Sequence, residues 1–203
     1  MRFTRNWFSQ RNLPTFVEMV VPSWQGKPCV YLELGVFEGM SMCWMLANVL
    51  THPDSYGVGV DTWLQSTKLD ERTFEEVRER AYHNTSPWRY PRESGGKCEL
   101  VRGCSAEILR KMQGRGGFAG IKTDSVDLCM IDANHWDLAV LDDARQAAKL
   151  VKIGGHLLFD DVENRIEKKD HVKQGLAAFL AESNGSVRFL WKHRFMECYE
   201  RVL

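Results

Sequence analysis

Five short apolar runs, each closing on a glycine or an aspartate, alternate with stretches of helical length along this chain. Pro28 to Leu34 (PCVYLEL) ends at Gly35, Tyr56 to Asp61 (YGVGVD) ends in its own aspartate, and Cys98 to Arg102 (CELVR) runs into Gly103. Ser125 to Ile131 (SVDLCMI) stops at Asp132, and His156 to Phe159 (HLLF) precedes Asp160 and Asp161. Strands alternating with helices predict an α/β chain with a parallel sheet, and short apolar strand cores suit a sheet covered on both faces. The expected architecture is a Rossmann-like, doubly wound, mostly parallel sheet with helices on both faces. Ligands of such sheets bind at the carboxyl ends of the strands, where Glu33, Gly35, Asp61, Gly103 to Ser105, Asp132 and Asp160-Asp161 all fall.

The stretches between the strands read as helices. Gly39 to Leu50 is apolar over helical length, and Phe74 to His83 is charged and helix-favouring. Ser105 to Met112 opens with Ser105 in an N-cap position. Trp136 to Val151 sets Leu138, Leu141, Ala144, Ala148 and Val151 near one face and is closed by Gly154-Gly155. Val172 to Glu182 is a further helix, and Ser186 to Leu190 with Phe195 to Arg201 form a closing pair of strands. The 203 residues make one domain. Residues 1–27 are a substrate-side or lid segment, 28–162 the ligand-binding core, and 163–203 the C-terminal helix and strands. In the first segment, Trp7, Phe8, Phe16 and Trp24 suit a lid over a substrate, a cover on the sheet edge, or the contact of a homodimer.

Lys+Arg and Asp+Glu both number 27, so no global charge draws the chain to nucleic acid or an anionic membrane. The basic run Arg110, Lys111, Arg115 reads as a solvated helix end. No apolar run has the length of a membrane span, and MRFTRNWFSQRN lacks the apolar core of a signal peptide. The six cysteines form no CxxC pair. They read as free thiols of a cytoplasmic protein.

The turn Glu33-Leu-Gly35-Val-Phe-Glu-Gly39-Met-Ser41 joins the first strand to the first helix of the core. Met40 stands where a phosphate-binding P-loop needs Lys. Phe37 stands where a dinucleotide fingerprint has its middle glycine, which argues against a nicotinamide oxidoreductase. Glu33 would attract a sulfonium or ammonium and repel a phosphate. Asp61 suits the hydroxyls of a ribose in either kind of nucleotide fold.

The turn resembles the E/D-x-G-x-x-x-G-x-S motif of class I S-adenosylmethionine (SAM) methyltransferases. YLELGVFEGMS, GVGVDTW, VRGCSAEIL, VDLCMIDANHWDLAVLDDA and KIGGHLLFDDV together resemble the small methyltransferases that include macrolide-sugar O-methyltransferases and cephalosporin-hydroxylase-like proteins. The resemblance runs from about residue 30 to 162. It implies that Glu33, Gly35, Gly39 and Ser41 surround the methionine part of SAM. Asp61, with Thr62 or Trp63, would hold the ribose, and Cys104 and Ser105 would lie near the adenine, with Asp132 at the cofactor's edge. Trp63 also suits plain packing. One departure stands out: relatives have Asp-Gly-x-His after the fourth strand, and this chain has Asp132-Ala133-Asn134-His135. Alanine tolerates a positive φ poorly, so the aim of His135 depends on this turn.

Asp132, Asp160 and Asp161 would repel one another unless a cation or protons sit between them. Hard oxygen ligands favour Mg2+, Ca2+ or Mn2+, and metal-dependent members of the resembled family carry acids at these positions. Glu163 and Asn164 are further candidate ligands. The bland reading is that Asp160-Asp161 cap a segment or pair with Arg165, Lys168 or Lys169. The expected activity is Mg2+-assisted O-methylation of a small hydroxylated acceptor, with His135 or Asp132 taking the proton. Its rivals are a metal-independent methyltransferase and a SAM-binding protein without catalysis.

Overall fold

In the computed structural model, which describes residues 1–64, 71–89, 95–163 and 169–203, seven strands form one sheet in the order β3-β2-β1-β4-β5-β7-β6. They are β1 (Val30–Leu34), β2 (Tyr56–Asp61), β3 (Cys98–Arg102), β4 (Val126–Ile131), β5 (Val151–Phe159), β6 (Val187–His193) and β7 (Met196–Arg201). The first five are parallel, and β7 runs antiparallel to both β5 and β6. The register aligns the strand ends. Leu34 lies beside Val60 and Ile131, and Ile131 beside Phe159. Gly35, Asp61, Asp132 and Asp160 therefore emerge on a single edge.

Alternation along the strands divides the core in two, because successive side chains point to opposite faces. Leu32, Leu34, Val58, Val60, Ile131 and Phe159 face helices α6 (Ser105–Met112), α7 (Asp137–Leu150) and α8 (His171–Glu182). Tyr31, Leu100, Leu128, Met130 and Leu158 face α4 (Met40–Asn48), α5 (Glu71–Thr85) and the N-terminal segment. Gly59 is required on this second face. A Cβ there would come within 2.7 Å of Val36 and 2.9 Å of Leu100.

Residues 7–24 form a chain of short helical pieces that the sequence pattern did not reveal. These are α1 (Trp7–Arg11), α2 (Leu13–Thr15), a π-helical turn (Phe16–Val20) and α3 (Val21–Trp24), with Pro14 and Pro22 in the first turns of α2 and α3. Phe8 and Phe16 are buried against Trp44, and Trp24 donates to His156 Nδ1 at 3.3 Å. These three pack against α4 and the sheet. Trp7 stays 58% exposed and tilts over Phe37, centroids 5.1 Å apart.

Two local expectations are corrected. The Gly154-Gly155 pair does not end α7; the helix stops at Leu150 and the glycines lie inside β5, where the register with β4 shifts. Glycine in a strand suits such a bulge. Ser105 is not the cap of α6 but its first residue, with Cys104 as cap. The cysteines are free, as expected, and only Cys104 of the six is exposed. No described helix is long and apolar enough to cross a membrane. Asn164, Arg165 and Lys168 lie outside the described residues.

Gly35 and Gly154 both have positive φ, +91° and +82°, but only Gly35 is crowded: a Cβ there would lie 2.0 Å from the Asp132 carbonyl oxygen. Gly35→Ala adds overpacking to backbone strain and is expected to destabilise by about 2–5 kcal/mol. Gly154→Ala meets strain alone and is expected to cost about 1–2 kcal/mol. Urea unfolding of the two variants checks the difference.

Candidate active site

The turn after β1 is shaped by two left-handed glycines, Gly35 (φ +91°) and Gly39 (φ +78°), and by Phe37, which adopts φ +51° without being glycine. Asp61 holds it in that shape. Its Oδ2 accepts from the Val36 and Phe37 amides at 2.9 and 2.8 Å, and its Oδ1 accepts from the Trp63 amide at 2.8 Å. The Thr62 amide adds to these three, so the backbone engages this carboxylate from both sides of the turn. Burial raises its pKa, and the backbone amides oppose the rise. Trp63 is 2% exposed and donates its indole N–H to the Phe37 carbonyl at 2.9 Å, so its ring supports the turn from inside. Thr62 Oγ1 accepts from the Leu64 amide.

Glu33 lies beneath this turn, fully buried, and accepts from the Ser41 and Tyr31 hydroxyls. Burial, reinforced by Asp132 and Asp61 and opposed by those two hydrogen bonds, pushes its carboxyl up to about 8. In the free protein Glu33 is thus largely neutral at pH 7. A cation bound above would draw it into the charged form.

At the start of α6, Cys104 is exposed, and Ser105 turns its hydroxyl inward to Asp143 Oδ1 at 2.5 Å. Asp143 is 2% exposed, burial pushes it up to about 6, and its Oδ2 has no hydrogen-bond partner among the described residues. The sequence offered one sign of it: an acid at a helical position shared with the buried Val140, Ala144 and Ala147.

The pairing of β4 with β5 brings the acids together. Asp132 Oδ1 lies 3.4 Å from His135 Nε2, and Asp161 Oδ2 lies 3.7 Å from the same nitrogen. One ligand atom each from Asp132, His135 and Asp161 falls within 4.8 Å of the others. His135 joins Asp132 and Asp161 in this group, and Asp160 lies at its border: its carboxyl shares a hydrogen bond with Asp132 and accepts from Asn12 Nδ2 at 2.5 Å and from the Asp161 amide at 2.7 Å. Burial holds Asp132 and Asp160 above the usual carboxylate range, Asp160 further up through Asp132 and Asp161. The hydrogen bond to Asp132 raises His135. Ala133 avoids positive φ, and Asn134 Oδ1 accepts from the Trp136 amide, so the departure from Asp-Gly-x-His is absorbed without strain.

Two residues missed in the sequence complete the cluster. Arg11 Nη2 pairs with Asp161 Oδ1 at 2.7 Å and stacks over Phe195 at 4.4 Å, and Asn12 holds Asp160. Glu163 points away, to Lys192, and Arg110 pairs with Asp142 on the far side of the sheet. An apolar groove of about 530 Å³, lined by Phe3, Phe8, Met40 and Trp44, contains none of the carboxylates.

The site has the donors for two groups. Carboxylates at the ends of β1, β2 and β4 suit a ligand that carries a sulfonium, an ammonium and a ribose. Asp132 and Asp161, with His135 beside them, suit a divalent cation. The comparisons with known proteins agree with the first of these. A family described as a methyltransferase domain matches residues 32–162, more than half of the chain. No curated protein sequence matches. Among solved structures, a candidate O-methyltransferase from Klebsiella pneumoniae shares 14% identity at a TM-score of 0.60, covering 100% of this chain and 84% of its own. A candidate rRNA methylase from Clostridium thermocellum shares 9% at 0.64, covering 100% and 99%. CalS11, a TDP-rhamnose 3'-O-methyltransferase of calicheamicin biosynthesis, shares 16% at 0.57, covering 93% and 76%. The likeness in architecture, the matched segment and the acid-lined turn together make this chain a member of the methyltransferase-domain family, a SAM-dependent methyltransferase of class I fold.

Proposed function

We propose that the protein transfers a methyl group from SAM to a hydroxyl oxygen of a small molecule, assisted by a divalent cation. The observation that carries this reading is the convergence of Asp132, His135 and Asp161 within 4.8 Å, next to the Glu33–Ser41 turn. The names of two neighbours, an O-methyltransferase candidate and a sugar O-methyltransferase, favour oxygen as the acceptor atom. Despite the likeness in fold to an rRNA methylase candidate, a balanced net charge and the pairing of Arg110 with Asp142 favour a small acceptor over nucleic acid.

In this reading the turn from Gly35 to Gly39 receives the methionine end of SAM, with Glu33 and Ser41 beneath it. Asp61 is the acid that the ribose approaches, backed by Thr62 and Trp63. The adenine lies toward Cys104 and Ser105. Asp132 and Asp161, with Asp160 behind them, would hold a divalent cation, which would supply Lewis acidity that lowers the pKa of an acceptor hydroxyl. His135 Nε2 takes the hydroxyl proton as the O–CH3 bond forms and the S–CH3 bond breaks, leaving S-adenosylhomocysteine. The protein's main contribution is to hold donor and acceptor in line.

A second reading has its own observation. Arg11 already brings a positive charge to Asp161, which suits a methyltransferase that needs no metal.

Calorimetry with S-adenosylhomocysteine tests the donor site. Binding is expected at pH 7, weakened at least tenfold by Asp61→Ala, which loosens the turn. It is also expected to release a proton from Glu33, seen as a heat that depends on the buffer's ionisation enthalpy. Glu33→Gln removes that dependence. The same carboxyl shapes stability. Its pKa is raised on folding, so its contribution is fully present below pH 4.5 and is lost as pH rises toward about 8; Glu33→Gln should flatten that fall in thermal melts across the range.

Metal stripping followed by methyl-transfer assays tests the cation. Activity is expected to vanish with chelator and return with Mg2+ or Mn2+. His135→Asn is expected to lower kcat by about 10²–10⁴-fold while retaining Mn2+ affinity. A fall in Mn2+ affinity instead would make His135 a ligand and leave the proton to another group.

A further inference from the structure

Helix α1 lies across the site and touches both halves of it. Trp7 and Arg11 are four residues apart and so share one face of the helix. Trp7 rests on Phe37 of the cofactor turn, centroids 5.1 Å apart, and Arg11 reaches Asp161 at 2.7 Å. Between β1 and β5 in the sheet runs β4, whose end carries Asp132 and His135. The helix therefore spans the point where donor and acceptor would meet.

The segment is tied at both ends. Ahead of it, the Thr4 amide and hydroxyl both donate to the buried Glu38 carboxylate, each at 2.6 Å. Behind it, the buried Thr15 bonds His193 Nδ1 at 2.9 Å, and Phe16 is fully enclosed. Within the segment, the polar grip on the acids comes from Arg11 and Asn12. The Arg11 side chain is 37% exposed, so it has room to turn without breaking the core.

A guanidinium on Asp161 and a divalent cation between Asp132 and Asp161 would repel each other at short range. We propose that Arg11 is an exchangeable counter-ion that sets the cation affinity of this site: cation binding drives Arg11 off Asp161 and loosens α1 above the acceptor position, while the Thr4 and Thr15 ties keep the strap in place. The proposal rests on the cation-assisted reading above. It adds that the site has a closed form held by the chain's own cation.

The test is Mn2+ titration of the full chain, followed by electron paramagnetic resonance, for the wild type, Arg11→Gln, Arg11→Lys and Asp132→Asn. Hydrogen exchange over residues 7–12 is read in parallel. Arg11→Gln is expected to bind Mn2+ at least tenfold more tightly than wild type. Arg11→Lys, which keeps the charge, should stay near wild type. Saturating Mn2+ should speed exchange over residues 7–12 in the wild type and change it little in Arg11→Gln. Equal or weaker binding by Arg11→Gln, with no change in exchange, overturns the proposal. If Asp132→Asn still abolishes that binding, the cation reading survives and only the role of Arg11 falls. No Mn2+ binding by any protein up to millimolar concentration overturns both.

Discussion

Taking carboxylates out of water is costly unless hydrogen bonds or opposite charge meet them, and this sheet gathers five on one edge: Glu33, Asp61, Asp132, Asp160 and Asp161. Each is met differently. Glu33 has two hydroxyls, Asp61 backbone amides, Asp132 a histidine and the neighbouring Asp160, Asp160 an asparagine and a backbone amide, and Asp161 an arginine. Much of the local structure follows from this. The turn after β1 points its amides down because Asp61 is there to accept them. The N-terminal strap crosses the edge because Arg11 and Asn12 have partners on it. Phe37, Trp63 and Asp161 take positive φ without being glycine, and all three belong to this network. Backbone strain of that kind persists only where the surroundings hold it.

The same crowding prepares the site for cations. SAM carries a sulfonium and an ammonium, and a catalytic metal carries two charges. Burial raises the carboxyls of Glu33, Asp61, Asp132 and Asp160, and a cation arriving beside them favours their charged form, so ligand and protein strengthen each other's charge. Glu33 acts in this way from below the turn without touching solvent.

The fold was legible because it depends on pattern. Apolar strand cores closing on Gly35, Asp61, Asp132 and Asp160 gave the strands, and the parallel register then had to bring those residues to one edge. The strap was not legible. Pro14 and Pro22 interrupt any helical period, and the bond from Asn12 to Asp160 spans 148 residues. The turning of Asp61 to backbone amides was hidden too, since it depends on the direction of N–H groups in a strained loop. The entry of His135 into the group with Asp132 and Asp161 depends on how side chains at the ends of two neighbouring strands are aimed. Gly154-Gly155 misled because a glycine pair after a helix reads equally as a helix stop or a strand bulge.

The central claim is that this acid-lined edge is where the methyl group is transferred. A crystal structure of the protein with S-adenosylhomocysteine tests it most directly. The account predicts the sulfur above the Gly35–Gly39 turn, facing Asp132 and His135, with the ribose at Asp61. A ligand seated instead in the apolar groove between Phe3, Phe8, Met40 and Trp44, or bound nowhere at saturating concentration, would contradict it.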